Sequence, residues 1–413
     1  MEGSRLRDPL LAEPGIDRLE RLNMSTKQTD WRRARGRAPH LRAREWVEVR
    51  GKEEILATLD KHGRLEELPF MPQMFQFCGR RFRVFKRAHK TCDTVNDYTG
   101  RRMEDAVHLE GVRCDGEAYG GCEAGCLIFW KEAWLKRVSD PKSPSSTDLA
   151  RIDVEENSSA VRCTELDVIA GTRKPSEPGK SGRAFVCQAT QVPAATEPLA
   201  WWEWRQYLED LTSRNVSLDR MARGFLYMFF QHRVLTFKYR LVPLLRWLYD
   251  RVQSLRGGVP YPRRRGEIPK GKPTPTLKLD LQPGEWVRVK SYQEILATCD
   301  ESDRNRGMKF DAEMVPYCGR TFRVLKRATK ILNEKTGELQ ELTNPCIILD
   351  GVVCQSRYSE CRLFCPRSIY PYWREIWLER VSGPGPGPLN GNSRLGSSFQ
   401  SRPSVPVNPV SKK

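Results

Sequence analysis

The sequence predicts a mainly β protein with two tandem small barrels and a central helical segment. The first observation is a duplication: residues 45–60 recur as 285–300 with ten of sixteen positions identical, and 78–84 recur as 318–324. The second is the alternation of apolar and polar residues in EWVEVR and RRFRVFKR, which has the period of a β-strand. The third is the apolar, arginine-rich stretch 219–256, which is typical of amphipathic helices.

The elements are predicted to follow the same order in both copies. In the first copy, strands are expected at 45–50, 80–87, 106–114 and 133–139, separated by glycine and polar turns. Ile55, Leu56 and Leu59 have helical spacing, so one short helix is expected after the first strand. Several short, curved strands in so small a unit indicate a small barrel.

The apolar spacing of EWVxV and of CGRxFRV resembles the opening strands of SH3-like small barrels, with the β subunit of nitrile hydratase as the comparison. This resemblance implies that each copy is an SH3-like barrel. It implies no catalysis, because nitrile hydratase binds its metal on the other subunit. The whole chain also resembles a bacterial protein family with the same duplicated layout, a resemblance that implies no particular activity.

Composition shifts divide the chain into seven segments. They are a disordered basic arm (1–44), module 1 (45–139), a linker (140–160), a central segment (161–256), a second linker (257–284), module 2 (285–382) and a disordered tail (383–413). The central segment is expected to begin with short strands, in 161–171 and 182–191, and to continue as amphipathic basic helices that Pro243 kinks or divides. The tryptophans of WWEW (201–204) are expected to pack a helix onto a barrel.

The net charge of +18 lies outside the two modules. Module 1 carries sixteen basic and sixteen acidic residues, and module 2 carries sixteen and fourteen. The excess is in residues 31–44, with six arginines and no acid, and in 199–272, with fifteen basic residues against six acidic ones. A contact with an anionic membrane surface or with nucleic acid is therefore expected from the arm and the central segment.

The cysteines are the strongest candidates for a site. No apolar signal peptide opens the sequence, so a cytoplasmic location, peripheral to the inner face of the membrane, is expected. In the cytoplasm the thirteen cysteines are expected to be thiols or metal ligands. Four thiolates suit a structural zinc ion or an iron–sulfur cluster, and spacing does not decide between them. The alternative is that the cysteines are small buried hydrophobes. The predicted ligands are Cys92, Cys114, Cys122 and Cys126 in module 1, with His89 or His108 as substitutes, and Cys346, Cys354, Cys361 and Cys365 in module 2.

The central stretch offers a second candidate, a basic and apolar helical surface. Its uncharged runs are shorter than the roughly 20 residues of a spanning helix, so the pattern favours an interfacial helix or an ordinary helix packed on the barrels. The residues expected to contact a membrane or polyanion are Arg220, Arg223, Arg233, Lys238, Arg240, Arg246 and Arg251.

No nucleophile, metalloprotease or dinucleotide motif was found, and GKS at 179–181 lacks the P-loop spacing. The sequence therefore favours a non-enzymatic adaptor or assembly protein with an unidentified protein partner, zinc-stabilised and peripheral to a membrane. A nucleic-acid-binding protein and an iron–sulfur or redox protein are the alternatives.

The metal hypothesis makes a prediction about stability. Replacing Cys122 or Cys126 by serine should lower the melting temperature of the first module, because a closed tetrahedral site loses a ligand. An unchanged melting temperature of the Cys122→Ser variant would count against a structural metal.

Overall fold

Module 1 is an antiparallel sheet built on the strand that the alternating EWVEVR pattern predicts. That strand, β1 (Trp46–Val49), lies between β4 (Arg81–Arg87) and β9 (Leu135–Val138). With β7 (Ala106–Leu109) and β8 (Trp130–Lys131) the sheet has the order β8-β7-β4-β1-β9. Its buried residues are Val47 and Val49, which alternate with the half-buried Trp46 and Glu48 as the period of two requires. The other strands of the module are β2 (Arg64–Leu65), β3 (Leu68–Pro69), β4 (Arg81–Arg87), β5 (Lys90–Cys92), β6 (Gly100–Arg102), β7 (Ala106–Leu109), β8 (Trp130–Lys131) and β9 (Leu135–Val138).

The predicted short helix follows β1 as α1 (Lys52–Leu56), and a 3-10 helix (Pro72–Phe77) precedes β4. Ile55 is the buried residue of α1, and Glu54 accepts a hydrogen bond from the Gly51 N–H at 2.9 Å, which satisfies a donor at the helix start. Two further 3-10 turns occur at Glu117–Tyr119 and Glu132–Trp134.

Module 2 pairs its strands in the same register. Its elements are β11 (Trp286–Val289), α7 (Tyr292–Leu296), β12 (Arg304–Asn305), β13 (Met308–Lys309), a 3-10 helix (Ala312–Tyr317), β14 (Thr321–Leu332), β15 (Leu339–Leu349), a 3-10 turn (Glu375–Trp377) and β16 (Leu378–Arg380). Trp46 pairs with Arg83, and Trp286 pairs with Arg323, an offset of 240 on both strands. The sheet order β15-β14-β11-β16 matches β7-β4-β1-β9. The mainly antiparallel β fold predicted from the sequence is confirmed.

Both modules close on a buried tryptophan that is tied to the helix after the first strand. In module 1 the Trp134 indole donates to the Thr58 hydroxyl at 3.1 Å, and that hydroxyl donates to the Ile55 carbonyl at 2.7 Å. In module 2 the Trp377 indole donates to Thr298 at 3.0 Å. Because both indoles are fully buried, their N–H groups have no access to water and depend on these threonines.

The modules differ in the ribbon that follows. In module 2, β14 and β15 form one long hairpin. The equivalent ribbon of module 1 is interrupted: its first strand is divided into β4 and β5 and its second into β6 and β7, with β4 paired to β7 and β5 to β6. A strand from the central segment, β10 (Glu197–Leu199), pairs with β6 and extends that interrupted sheet. The long hairpin of module 2 contacts module 1, where the N–H groups of Thr329 and Lys330 donate to the Glu123 carboxylate.

The structure, a computed structural model, describes residues 40–96, 99–139, 163–174, 184–236, 242–255, 258–359 and 362–383, with 233–236 and 242 described by backbone only. The described residues from Leu41 onward belong to one compact unit. The predicted linker 140–160, the predicted tail apart from Gly383 and nearly all of the predicted arm lie outside the described residues.

The start of the central segment differs from the sequence prediction. Strands were expected in 161–171 and 182–191, but these segments contain the helices α2 (Glu165–Ala170) and α3 (Gln188–Gln191). The reason is local capping: Thr164 accepts from the Asp167 N–H at 3.2 Å, and Asp167 accepts from the Thr164 N–H at 2.8 Å. Strand pairing there is limited to isolated bridges between Arg173 and Phe185 and between Ala184 and Glu338.

Three helices follow, α4 (Arg205–Thr212), α5 (Leu218–Thr236) and α6 (Val242–Leu255). The predicted amphipathic helices are therefore present, and Pro243 lies in the first turn of α6, where a missing N–H costs no helical hydrogen bond. The inner side of α5 packs on module 2, where the Tyr227 and Tyr358 rings lie 4.8 Å apart.

The threonine–tryptophan bond predicts the effect of removing one hydroxyl. Thr58→Val and Thr298→Val keep the side-chain shape but leave a buried indole N–H unpaired, so each should lower the free energy of unfolding by about 1–3 kcal/mol. Urea denaturation followed by tryptophan fluorescence measures this. Thr→Ser at the same positions keeps the hydroxyl and is the control. Equal stability of the valine and serine variants would show that the bond contributes nothing.

Candidate functional site

A cavity of about 30 Å³ lies where module 1, the central segment and module 2 meet. Four cysteines line it: Cys114, Cys122 and Cys126 from the loop after β7, and Cys187 immediately before α3. We call this set the thiol quartet. The rest of the wall is mainly apolar, with the charged residues Glu334 and Arg367 at one side.

The loop that carries three of the thiols is tightly folded. The Cys114 N–H donates to the Cys126 carbonyl at 2.8 Å, which fixes the two ends of the loop together. Gly116 has a φ of +78°, and a Cβ at this position would lie 1.8 Å from the Cys122 carbonyl oxygen. Only glycine fits there, so the loop can bring Cys122 back toward Cys114.

The central segment holds Cys187 against module 1 through the side chain of Gln188. The Gln188 amide oxygen accepts from the Phe129 N–H at 2.8 Å, and its nitrogen donates to the carbonyls of Phe129 at 2.9 Å and Pro69 at 3.0 Å. Cys187 itself caps α3, where its N–H donates to the Thr190 hydroxyl at 3.0 Å. The fourth thiol is thus positioned by a fully satisfied, buried amide.

The hairpin of module 2 covers the quartet from the other side. The carboxylate of Glu123 accepts from the Thr329 N–H at 2.5 Å and from the Lys330 N–H at 3.1 Å, and the Glu123 N–H donates to the Lys330 carbonyl at 2.9 Å. One residue before, the Cys122 sulfur accepts from the Leu332 N–H at 3.3 Å. The cavity is therefore closed only when module 2 lies against module 1.

Two N–H groups point at sulfur atoms of the quartet. Besides Leu332, the Gln73 amide donates to the Cys114 sulfur at 3.2 Å. The Arg113 guanidinium donates to the Gly125 carbonyl at 2.8 Å, so a half-buried cation lies near Cys126 as well. Donors and cations of this kind stabilise the negative charge of a thiolate.

The corresponding position in module 2 has the opposite chemistry. Glu313 replaces Gln73 at the same offset of 240, and Cys354 replaces Cys114. Burial and the Glu313 carboxylate raise the pKa of Cys354 to about 12. In its charged form Glu313 cannot donate to a sulfur anion as Gln73 does. The side chain within hydrogen-bonding distance of the Cys354 sulfur is the Ser356 hydroxyl, at 3.5 Å.

Burial raises the pKa of three thiols of the quartet. It raises the pKa of Cys114 to about 12 and that of Cys187 to about 11, and it raises the pKa of Cys126 well above the ordinary range. Neighbouring cysteines add to the shift for Cys114, and the Glu334 carboxylate and neighbouring cysteines add to that for Cys126, because like charges in an apolar site repel each other. Among the described residues, no three sulfur atoms lie within 4.8 Å of one another.

Cys92 is absent from the quartet, although the sequence analysis placed it there. Its thiol is hydrogen-bonded to Cys365 of module 2, and this bond lowers the pKa of Cys365 to about 7. Cys354 lies close enough to both to affect their ionisation. Cys92 therefore belongs with the second set of predicted ligands, because β5 turns away from the cavity toward module 2.

The other predicted cysteines are distributed as follows. Cys346 is buried on β15, where its thiol donates to the Asn344 carbonyl at 3.5 Å and its sulfur accepts from Arg374 at 3.6 Å. Cys361 lies outside the described residues. Sequence comparison of the two copies missed Cys187, since it lies outside the repeat and only the three-dimensional packing brings it to the cavity.

The two histidines proposed as substitute ligands are buried and face backbone carbonyls. His108 contacts the Ile128 carbonyl through Nδ1 at 2.8 Å, and His89 contacts the Gln206 carbonyl through Nε2 at 3.2 Å. Burial lowers the pKa of His108 to about 3 and that of His89 to about 4, so both rings are neutral at physiological pH. Neither histidine lines the cavity.

The basic residues of the helices point in two directions. Arg220 donates to the Gln355 carbonyl at 3.0 Å, and Arg246 lies over the Tyr261 ring at 4.9 Å, so both face the protein. Arg223 and Arg251 are exposed. The side chain of Arg233 and the whole of Lys238 and Arg240 lie outside the described residues.

The prediction that the WWEW tryptophans pack a helix onto a barrel is wrong. Trp202 and Trp204 are 69% and 65% exposed, and Trp201 is 42% exposed. The buried side of α4 is occupied instead by Gln206, Tyr207 and Asp210. The tryptophans precede these residues in a turn, which leaves their rings at the surface.

The chain matches no protein-family model and no curated protein. None of the described helices is long and apolar enough to cross a membrane.

The difference between Glu313 and Gln73 gives a prediction about pH. Burial raises the pKa of Glu313 to about 7, and its Oε1 accepts from the Tyr358 N–H at 2.6 Å. A carboxyl with a raised pKa stabilises the fold at low pH, and this contribution is lost as the pH rises through about 7. The unfolding free energy of the wild type should therefore fall between pH 5 and pH 8. Glu313→Gln, which introduces the residue of module 1, should make this fall smaller by up to about 3 kcal/mol.

Urea denaturation at both pH values, with the exposed Glu301→Gln as the control, measures this difference. Parallel pH profiles for the wild type and Glu313→Gln would refute the assignment.

Proposed function

We propose that the protein is a non-enzymatic adaptor or assembly protein that binds an anionic membrane surface through its central helices. The two β modules form the rigid base, and we assign each to the SH3-like small barrels. The pairing of the first strand of each module with its last, β1 with β9 and β11 with β16, supports this assignment, because a small barrel places strands from the two ends of its chain side by side.

The distribution of exposed apolar side chains carries the proposal. Of the sixteen large apolar residues that are exposed among the described residues, twelve lie between Trp201 and Leu255. The described parts of modules 1 and 2 contribute one, Leu325. A concentration of exposed apolar side chains in one segment indicates an interaction site in a folded protein.

The exposed residues of α5 and α6 follow helical spacing. We define the helical surface as Leu218, Leu226, Phe229, Leu244, Trp247, Leu248, Val252 and Leu255. Leu218 and Leu226 lie two turns apart on α5, and Leu244, Leu248 and Val252 succeed one another at intervals of four on α6. Each helix therefore presents one apolar stripe.

The opposite sides of both helices pack on the protein, so the stripes are not the buried faces. Tyr249 of α6 lies 4.9 Å from the ring of Phe230 and 5.8 Å from that of Tyr261. Tyr261 in turn donates to Gln231 at 2.5 Å. With these inner contacts made, an external partner is needed to cover the stripes.

Charge favours a lipid surface as that partner. Residues 218–255 contain seven Lys and Arg against two acids, and both acids pair with arginines: Asp219 with Arg223, and Asp250 with Arg264. Arg251 is exposed on α6, and Arg223 is exposed on α5, where it pairs with Asp219. Cations next to tryptophan and leucine match the phosphates and acyl chains at the boundary of an anionic bilayer.

Vesicle binding tests this function. The full chain should co-sediment with vesicles that contain phosphatidylserine and bind less to vesicles of phosphatidylcholine alone. Replacing Trp247 and Leu248 together by serine should weaken binding at least roughly tenfold, since two apolar side chains no longer enter the bilayer.

The matched control replaces Leu277 and Leu325 by serine, because these leucines are exposed outside the helical surface. The control should bind as the wild type does. Equal loss of binding in both variants would refute the assigned surface. The membrane function would also be refuted if the chain dimerised in solution and bound neither kind of vesicle.

A further inference from the structure

The thiol quartet has the donor set of a closed structural metal site. Cys114, Cys122, Cys126 and Cys187 supply four sulfur atoms from two chain segments around one cavity. Four thiolates in tetrahedral array form the typical closed site of zinc, whereas calcium and magnesium require oxygen ligands. The membrane-binding function proposed above does not use this cavity.

The cavity has room for a bound ion. Its volume of about 30 Å³ exceeds the roughly 10–15 Å³ that a single water molecule needs. Zinc binds four thiolates at about 2.3 Å in a closed site, and an iron–sulfur cluster with four cysteine ligands is the alternative, which metal analysis of the protein distinguishes. Among the described residues no three sulfur atoms lie within 4.8 Å of one another, so ion binding requires the four side chains to move toward the ion.

The surroundings of the sulfur atoms point independently to negative charge. Gln73 donates to Cys114 and Leu332 donates to Cys122, at 3.2 and 3.3 Å. Hydrogen bonds to ligand atoms of this kind orient the ligands of metal sites and tune their charge. The Arg367 guanidinium lines the cavity and pairs with Glu334, and Arg113 lies near Cys126.

We propose that Cys114, Cys122, Cys126 and Cys187 bind one zinc ion as four thiolates at the junction of the two modules. Each thiol that ligates the metal releases its proton to solvent. The site joins module 1 to the central segment through Cys187, and module 2 covers it through the Leu332 N–H. Cys92, the ligand expected from the sequence, takes no part.

Metal content and cobalt substitution test the site on the full chain. The wild type should contain one more equivalent of zinc than Cys187→Ala. Because both cysteines would bind the same ion, the Cys114→Ala/Cys187→Ala double variant should lose the same one equivalent of zinc as either single variant. Cys299→Ala removes a buried thiol that lies outside the cavity and should retain the wild-type zinc content. Cobalt in the wild type should give the absorption of a tetrahedral thiolate site, which Cys187→Ala should reduce by one site.

Thiol alkylation of the wild type covers the case in which Cys187→Ala does not fold. A chelator should make all four quartet cysteines reactive together, while Cys299 stays protected. Equal zinc content in Cys187→Ala and the wild type, loss of zinc in Cys299→Ala, or an iron-containing chromophore in protein purified without oxygen would each overturn the proposal. Quartet cysteines that stay unreactive with chelator present would do the same.

Discussion

Four sulfur atoms share one small cavity, and burial makes it costly to ionise those of Cys114, Cys126 and Cys187. A thiolate in apolar surroundings loses hydration, and a second thiolate nearby adds repulsion. The cost is offset when donors and a cation face the sulfur atoms, as Gln73, Leu332 and the proposed zinc ion do. Many of the contacts between the two modules converge on this point.

The contacts that build the cavity also hold the molecule together. Gln188 ties the central segment to module 1, and Glu123 ties the β14–β15 hairpin to the cysteine loop. Arg367 of module 2 is buried, pairs with Glu334 and donates to the Cys92 carbonyl at 3.2 Å. A metal bound by the quartet would therefore stabilise the junction of three segments rather than one barrel alone, and a loss of metal should loosen that junction.

The duplication conserves the β framework but leaves the polar positions free to change. The pairing of β1 with β4 and of β11 with β14 has the same register. Each closing tryptophan donates to the equivalent threonine of its own module, Thr58 or Thr298. Strand register depends on which face is buried, so a shift would expose the core. Gln73 and Glu313 lie at the edge of that framework, where an amide and a carboxyl fit equally well in shape and differ in what they offer a sulfur atom.

Local patterns in the sequence predicted the local structure. Period-two alternation located β1 and β4, helical spacing located α1, and the duplication indicated that both copies have the same elements. The capping boxes at Thr164 and Cys187 were outweighed by apolar runs that resembled strands. The exchange of Cys92 for Cys187 depends on how three distant segments pack, and the outward position of Trp202 depends on which residues of α4 find room inside. No pattern within a short window contains that information.

X-ray absorption at the zinc edge of the full-length protein measures the ligands of the metal directly. Four sulfur neighbours at about 2.3 Å are predicted, with no nitrogen or oxygen in the first coordination shell. A mixed shell of nitrogen or oxygen and sulfur, or protein that contains no zinc, would contradict a site made of Cys114, Cys122, Cys126 and Cys187.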